Sequence, residues 1–92
     1  MNKAELVDAI AERMSGGATK KQVYQILSAT LDTIIDTVAS GDRVVITGFG
    51  AFEPRQRKER EGHNPSTGDK MVIPPATVPA FSAGKLFKDR VN

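Results

Sequence analysis

Residues 55–70, Arg-Gln-Arg-Lys-Glu-Arg-Glu-Gly-His-Asn-Pro-Ser-Thr-Gly-Asp-Lys, include none of the aliphatic or aromatic residues that build a core. A stretch with nothing to bury either stays disordered or projects into solvent as an element that a partner completes. Arg55, Arg57, Lys58, Arg60 and Lys70 are opposed within it only by Glu59, Glu61 and Asp69. Its middle, Asn64-Pro65-Ser66-Thr67-Gly68, is turn chemistry rather than linker chemistry. With strand patterns on either side, the stretch reads as a two-stranded arm with a proline at its tip.

Taking that stretch away from 92 residues leaves a body too small to bury a comfortable core alone. Chains of this size recruit a disulfide, a metal or a second copy. With no cysteine and one histidine, disulfides and ordinary zinc sites drop out, and the usage fits a reducing cytosol. Oligomerisation remains. The net charge of +2 is unevenly spread: four basic residues face six acidic ones up to Asp42, and nine face five from Arg43 onward. A pI near 9.2 with the positive charge gathered in one half favours a polyanionic partner, nucleic acid before membrane. No apolar run approaches a transmembrane length, and the first residues lead into an amphipathic pattern instead of a signal-peptide core. The expectation is a soluble, intracellular protein with no membrane partner.

Asn2 followed by Glu5 reads as a helix start of capping-box type, with Leu6, Val7, Ile10, Ala11 and Met14 on one face. Ser15-Gly16-Gly17-Ala18 ends that helix, and Thr19-Lys20-Lys21-Gln22 is a full capping box for a second. The second stripe, Val23, Ile26, Leu27, Leu31, Ile34, Ile35 and Val38, runs to Gly41 and is wider than the first helix can cover. Part of it should meet the sheet or another subunit. Val44-Val45-Ile46 is a β-branched strand apolar on both faces, and Gly48-Phe49-Gly50 a tight turn dropping one ring inward. Ala51-Phe52-Glu53 starts the returning strand. Met71-Val72-Ile73 brings the chain back from the arm, with Pro74, Pro75 and Pro79 marking a bulged or edge strand. A last helix is expected from a Ser82 cap to Val91, with Leu86 and Phe87 inward. The fold class is α+β: a helical hairpin in 1–42, an antiparallel sheet in 43–81 whose arm spans 55–76, and a short helix in 82–92, all one domain.

A charge run is commonly only a solvated loop. Here strand patterns bracket it and a turn centres it, and long structureless loops are uncommon in compact domains. About ten extended residues per side, at roughly 3.3 Å each, reach on the order of 30 Å, enough to wrap a duplex. Pro65 is a turn residue or, at a basic tip, a flat wedge between base steps. Asn64 caps the turn or donates to base-edge acceptors, and sequence does not separate these. Asn64-Pro65-Ser66 cannot be a glycosylation acceptor, because proline stands in the middle. Gly48-Phe49-Gly50 lacks the third glycine of a dinucleotide fingerprint, Glu53 standing in its place, and no βαβ unit follows. His63 has no cysteine or second histidine with which to hold a metal. No paired carboxylates, nucleophile or phosphate loop supports catalysis, and no cofactor or small-molecule substrate is expected.

Met1-Asn2-Lys3-Ala4-Glu5-Leu6, Gly48-Phe49-Gly50-Ala51-Phe52, Gly62-His63-Asn64-Pro65-Ser66-Thr67-Gly68 and Pro79-Ala80-Phe81-Ser82-Ala83-Gly84-Lys85 together resemble the bacterial HU family of histone-like DNA-binding proteins. Four motifs in order cover essentially the whole chain. The resemblance implies an intertwined homodimer on double-stranded DNA, the arms in the minor groove and the tip proline intercalated, a mechanism known for that family rather than read from composition. Nicked, bent or junction DNA and RNA are further candidate ligands. Carried over, the DNA contacts are Lys3, Arg55, Arg57, Lys58, Arg60, His63, Asn64, Pro65, Ser66, Lys70, Lys85 and Lys88. Lys3, Lys85 and Lys88 would grip phosphates from the body, with amide donors at the helix starts near Lys3 and Ser82. Phe49, Phe52 and Phe81, with Leu31, Ile34 and Ile35, would form the dimer core. Three features depart from the family: His63 stands where arginine is usual, Asp69 where the residue is often basic or neutral, and Ser15-Gly16-Gly17 lengthens the helix turn. The first two should weaken the tip's grip. The related integration host factor prefers particular sites as a heterodimer; the Met1-Asn2-Lys3 start and lack of a tail favour HU-like behaviour in the cytoplasm and nucleoid. A protein scaffold whose arms clasp another protein is the alternative from a different class.

Overall fold

The structure, a computed structural model, describes residues 1–92 and divides into two compact units, residues 1–36 and 37–92. In the first unit α1 (Lys3–Arg13) opens on the reciprocal cap that its sequence encodes. Glu5 donates its backbone N–H to Asn2 Oδ1 at 2.8 Å, and Asn2 donates its own to Glu5 Oε1 at 3.2 Å, so two of the end's orphan donors are satisfied. Ser15 (φ 51°) and Gly16 (φ 82°) then turn the chain through the left-handed region. α2 (Lys20–Ala39) starts on the second box, with Gln22 N–H to Thr19 Oγ1 at 3.1 Å and Thr19 N–H to Gln22 Oε1 at 2.9 Å. Lys20 and Asp8 pair at 3.1 Å. Only Val7 and Val23 are buried in these helices, while Ile26, Leu31 and Ile35 stay exposed. No helix is long and apolar enough to cross a membrane.

In the second unit β1 (Val44–Ile46), β2 (Gly50–Arg57) and β5 (Ala76–Ala83) form an antiparallel sheet in the order β1-β2-β5. β3 (Arg60–His63) and β4 (Lys70–Ile73) pair as a separate two-stranded ribbon. Pro54 in the middle strand stands directly opposite Pro79. Two prolines can face each other without loss only at a non-hydrogen-bonded pair, where neither N–H would point across the ladder. The ladder lapses at Lys58-Glu59 against Pro74-Pro75, where consecutive residues have no N–H to give.

The last helix begins later than its sequence suggests. α3 is Lys85–Val91, with Gly84 at the N-cap (φ −74°, ψ 166°) and no side-chain cap. Ser82 lies inside β5 opposite Ala51, so it is neither a cap nor a helix start, and residues 82–92 are not all helix. Its hydroxyl is taken instead by Glu53, at 3.3 Å, and Gly84 donates its N–H to the Phe49 carbonyl at 2.8 Å, which holds the chain extended for two more residues. Leu86 is exposed rather than inward, and Phe87 is half-buried.

Phe87 joins the chain's three other phenylalanines. Ring centroids lie 4.8 Å apart for Phe52 and Phe81, and 5.3 Å for Phe49 with both Phe81 and Phe87. The cluster closes on Gly50, where a Cβ would stand 2.5 Å from the Ser82 carbonyl oxygen and 2.7 Å from the Phe81 ring. Backbone on one side and a packed ring on the other leave no room to yield. Gly50→Ala should therefore cost about 2 kcal/mol or more, within the range for overpacking, and appear as a lowered melting temperature by circular dichroism.

Candidate nucleic-acid interface

Alternation along the strands sorts the sheet's side chains onto two faces. Phe52, Pro54 and Gln56 share one face with Val44, Ile46, Phe81, Pro79 and Thr77, and Gln56 Nε2 donates to Thr77 Oγ1 at 2.9 Å across the strands. Ala51, Glu53, Arg55 and Arg57 share the other with Val45, Ser82, Ala80, Val78 and Ala76. Continuing the β1 register by one residue brings Arg43 opposite Glu53. Arg43 Nε lies 3.3 Å from Glu53 Oε2, and Arg55 Nη2 lies 3.5 Å from Glu53 Oε1. The candidate cations Arg55 and Arg57 thus share a face with Arg43, which the sequence reading passes over. Its signal was available: a cation immediately before a β-branched strand, in register with the acid of the returning strand.

Beyond Lys58 the ribbon carries the remaining arm residues, every one exposed except half-buried Gly62, Asn64 and Ile73. Arg60 shares a face with Gly62, Met71 and Ile73; His63 stands opposite Lys70, on the face with Glu61 and Val72. A Cβ at Gly62 would come within 2.9 Å of Ile73 Cδ1, so the missing side chain lets Ile73 lie across the ribbon. Asn64 N–H donates to the Asp69 carbonyl at 2.8 Å, and Gly68 N–H to the Asn64 carbonyl at 2.7 Å. Asn64 Oδ1 accepts the Ser66 N–H at 2.9 Å. The turn role of Asn64 therefore uses its oxygen, and the amide NH₂ keeps its donors. The two roles that sequence does not separate are compatible, since they engage opposite ends of one amide. Pro65 and Ser66 sit exposed in the turn.

The other predicted contacts lie elsewhere. Lys85 and Lys88 are exposed on α3. Lys3 belongs to the first unit, its Nζ 4.6 Å from the centre of the Tyr24 ring. Of the expected dimer-core residues, Leu31, Ile35, Phe49 and Phe81 are exposed in the single chain, and Ile34 and Phe52 are half-buried.

An α+β chain with a two-stranded arm, whose residues 55–70 hold five Arg and Lys against three acids and whose tip is bare of large apolar groups except for one proline, has the form of a β-arm binder of polyanions. The chain belongs to the family described as bacterial DNA-binding protein, whose sequence profile matches residues 1–92. It is 60% identical to the DNA-binding protein HU of Nostoc sp. over 91 residues, covering 99% of this chain and 95% of that one. To the DNA-binding protein HU of Geobacillus stearothermophilus it is 46% identical over 92 residues, the whole of both chains. Among solved structures, an Anabaena HU–DNA cocrystal superposes with a TM-score of 0.93 at 60% identity, covering 99% of this chain and 97% of that one. HU from Thermotoga maritima gives 0.69 at 35% identity, covering both chains fully. The resemblance drawn from the four motifs is thus correct, as is an α+β fold with a β-arm.

Asn64→Ala removes the acceptor of the Ser66 N–H and should loosen the turn, whereas Asn64→Asp keeps that acceptor. Amide hydrogen exchange at Ser66 should rise several-fold in the first variant and stay near wild type in the second, since one local bond is worth roughly 1 kcal/mol.

Proposed function

We propose that this chain is a histone-like protein of the cytoplasm and nucleoid that binds double-stranded DNA with little sequence preference and bends it. It works as a homodimer whose two arms enter the minor groove and wedge Pro65 between base steps, all 92 residues acting as one DNA-binding unit. The observation that carries this reading is the exposed ribbon of Arg60, His63 and Lys70 that ends in a hydrogen-bonded turn with Pro65 at its outside. Arg55, Arg57, Lys58 and Arg60 supply cations along the arm, and Asn64 and Ser66 supply polar groups at the tip. Lys3, Lys85 and Lys88 add phosphate contacts from the body. Phosphate contacts fix position and carry no sequence information, which matches a site with so few groups able to read a base edge. Catalysis has no part in it.

The homodimer follows from what a single chain leaves uncovered. No side chain is fully buried, and Ile26, Leu31 and Ile35 of α2 together with Phe49 and Phe81 face solvent. A second copy that covers Leu31, Ile34, Ile35 and the phenylalanines completes the core, and folding is then linked to association. The melting temperature should rise with protein concentration; a folded monomer in sedimentation at micromolar concentration argues against the dimer.

The wedge is tested at Pro65. Unstacking a base step costs roughly a few kcal/mol, recovered only if the kink brings more phosphate within reach. A nick or mismatch lowers that cost, so the wild type should prefer such DNA to intact duplex. Pro65→Ala keeps every charge and should keep the salt-dependent part of binding, while it loses bending and part of the preference for weakened DNA. Fluorescence transfer between the ends of a short duplex reports the bend; a variant that bends DNA like wild type leaves the proline as a turn residue.

A further inference from the structure

Glu53 is the one acidic side chain on the sheet face that presents Arg43, Arg55 and Arg57, and it is not among the proposed DNA contacts. Three groups converge on its carboxylate: Arg43 Nε at 3.3 Å from Oε2, and Arg55 Nη2 and Ser82 Oγ at 3.5 and 3.3 Å from Oε1. Arg55 Nη2 also lies 3.5 Å from Ser82 Oγ, so the hydroxyl closes the group. Two guanidiniums and a hydroxyl directed at one anion are the donors that a phosphodiester's two free oxygens would take. We infer that Glu53 is a built-in competitor of the DNA backbone, occupying in the free protein an anion subsite formed by Arg43, Arg55 and Ser82, from which phosphate displaces it.

The geometry favours exchange over permanent pairing. Each guanidinium meets the carboxylate through a single nitrogen at long range, so neither forms the two-pronged pair that makes arginine–carboxylate contacts strong. Both arginine side chains are more than half exposed, at 58% and 54%, so water and salt screen them. Each such pair is worth at most about a factor of five. A phosphate that takes both arginines also releases condensed counterions from the duplex, which an internal carboxylate cannot do. Once released, Glu53 lies beside a polyanion and takes a cation from solution, which offsets part of that ion release.

This inference rests on the DNA-binding reading, and a competitor makes a prediction opposite in sign to that of a structural prop. Glu53→Gln should bind plain duplex on the order of fivefold tighter at low salt. Its plot of log affinity against log salt should steepen by up to about 0.9 per protomer, as one more effective positive charge meets phosphate. Arg43→Ala should cost more affinity in the Glu53→Gln background than in wild type, because there the arginine is no longer shared. Circular dichroism melting of each variant establishes that it is folded. Glu53→Asp, which keeps the charge but is one methylene too short to span both guanidiniums, should shift affinity in the same direction by less, and it carries the test if Glu53→Gln does not fold. Wild-type protein that fails to bind duplex at the lowest salt sinks the DNA-binding reading and this inference with it. Wild-type binding accompanied by folded variants that bind equally or more weakly, or by an unaltered salt slope, overturns this inference alone.

Discussion

The backbone at Phe49 and Gly50 is the point on which the second unit depends. Phe49 donates its N–H to the Ile46 carbonyl at 3.0 Å, which turns β1 into β2, and its own carbonyl accepts the Gly84 N–H at 2.8 Å, which fixes where β5 gives way to α3. The ring of Phe81 lies against Gly50 itself, at a distance no side chain would permit. Aromatic pairs add roughly 0.5–1.5 kcal/mol each beyond their buried area, so four rings meeting at one turn tie β2, the edge strand β5 and the seven-residue α3 together, while the three-residue β1 is held by its pairing with β2. With the turn held, β2 and β5 stay in register from Gly50 and Ala83 out to Arg57 and Ala76, and that ladder is the root of the arm.

The same economy explains why the structure stops short of a closed core. Of the large apolar groups only Val7 and Val23 are buried, and Ala51 is the one further buried residue of the core. The isolated chain therefore recovers little of the conformational entropy that folding removes. In the proposed dimer, stability and DNA binding are one matter: the contacts that complete the core also set the two arms as a pair, and two linked arms bind far more tightly than either alone.

Local signals carried most of the fold into the sequence. Both capping boxes, the glycine turns, the β-branched strand and the proline breaks are encoded within a few residues and occur where those residues stand. Sequence and structure part company where a distant partner decides. Ser82 has the composition of a helix cap, yet Glu53 on the neighbouring strand claims its hydroxyl, and cross-strand pairing outweighs a cap worth about 1 kcal/mol. Leu86 fits an inward position by spacing, but in so short a helix Phe87 takes the only inward place the aromatic cluster offers. Arg43 and Glu53 were invisible as a site for the same reason, because their meeting depends on the β1–β2 register and on no motif. The cations of the arm, by contrast, are legible because residues 55–70 hold no aliphatic or aromatic side chain to bury.

The five prolines show how one chemical property can be used in three ways along a single ribbon. At Pro54 and Pro79 the missing N–H groups fall where the ladder has no bond to make, so the root of the arm keeps its pairing. At Pro74 and Pro75 two consecutive missing donors cannot both avoid the ladder, and the ribbon parts there from the body sheet. At Pro65 no ladder exists, and the ring is free to present an apolar edge where every neighbour is polar. A four-residue ladder such as β3–β4 is marginal by itself, so the segment beyond the break draws its order from the turn around Asn64 and, in the proposed complex, from the groove that receives it. An arm paired at its root and parted from the sheet at Pro74-Pro75 could follow a bent duplex without straining the body, and this suits the DNA bending proposed for it.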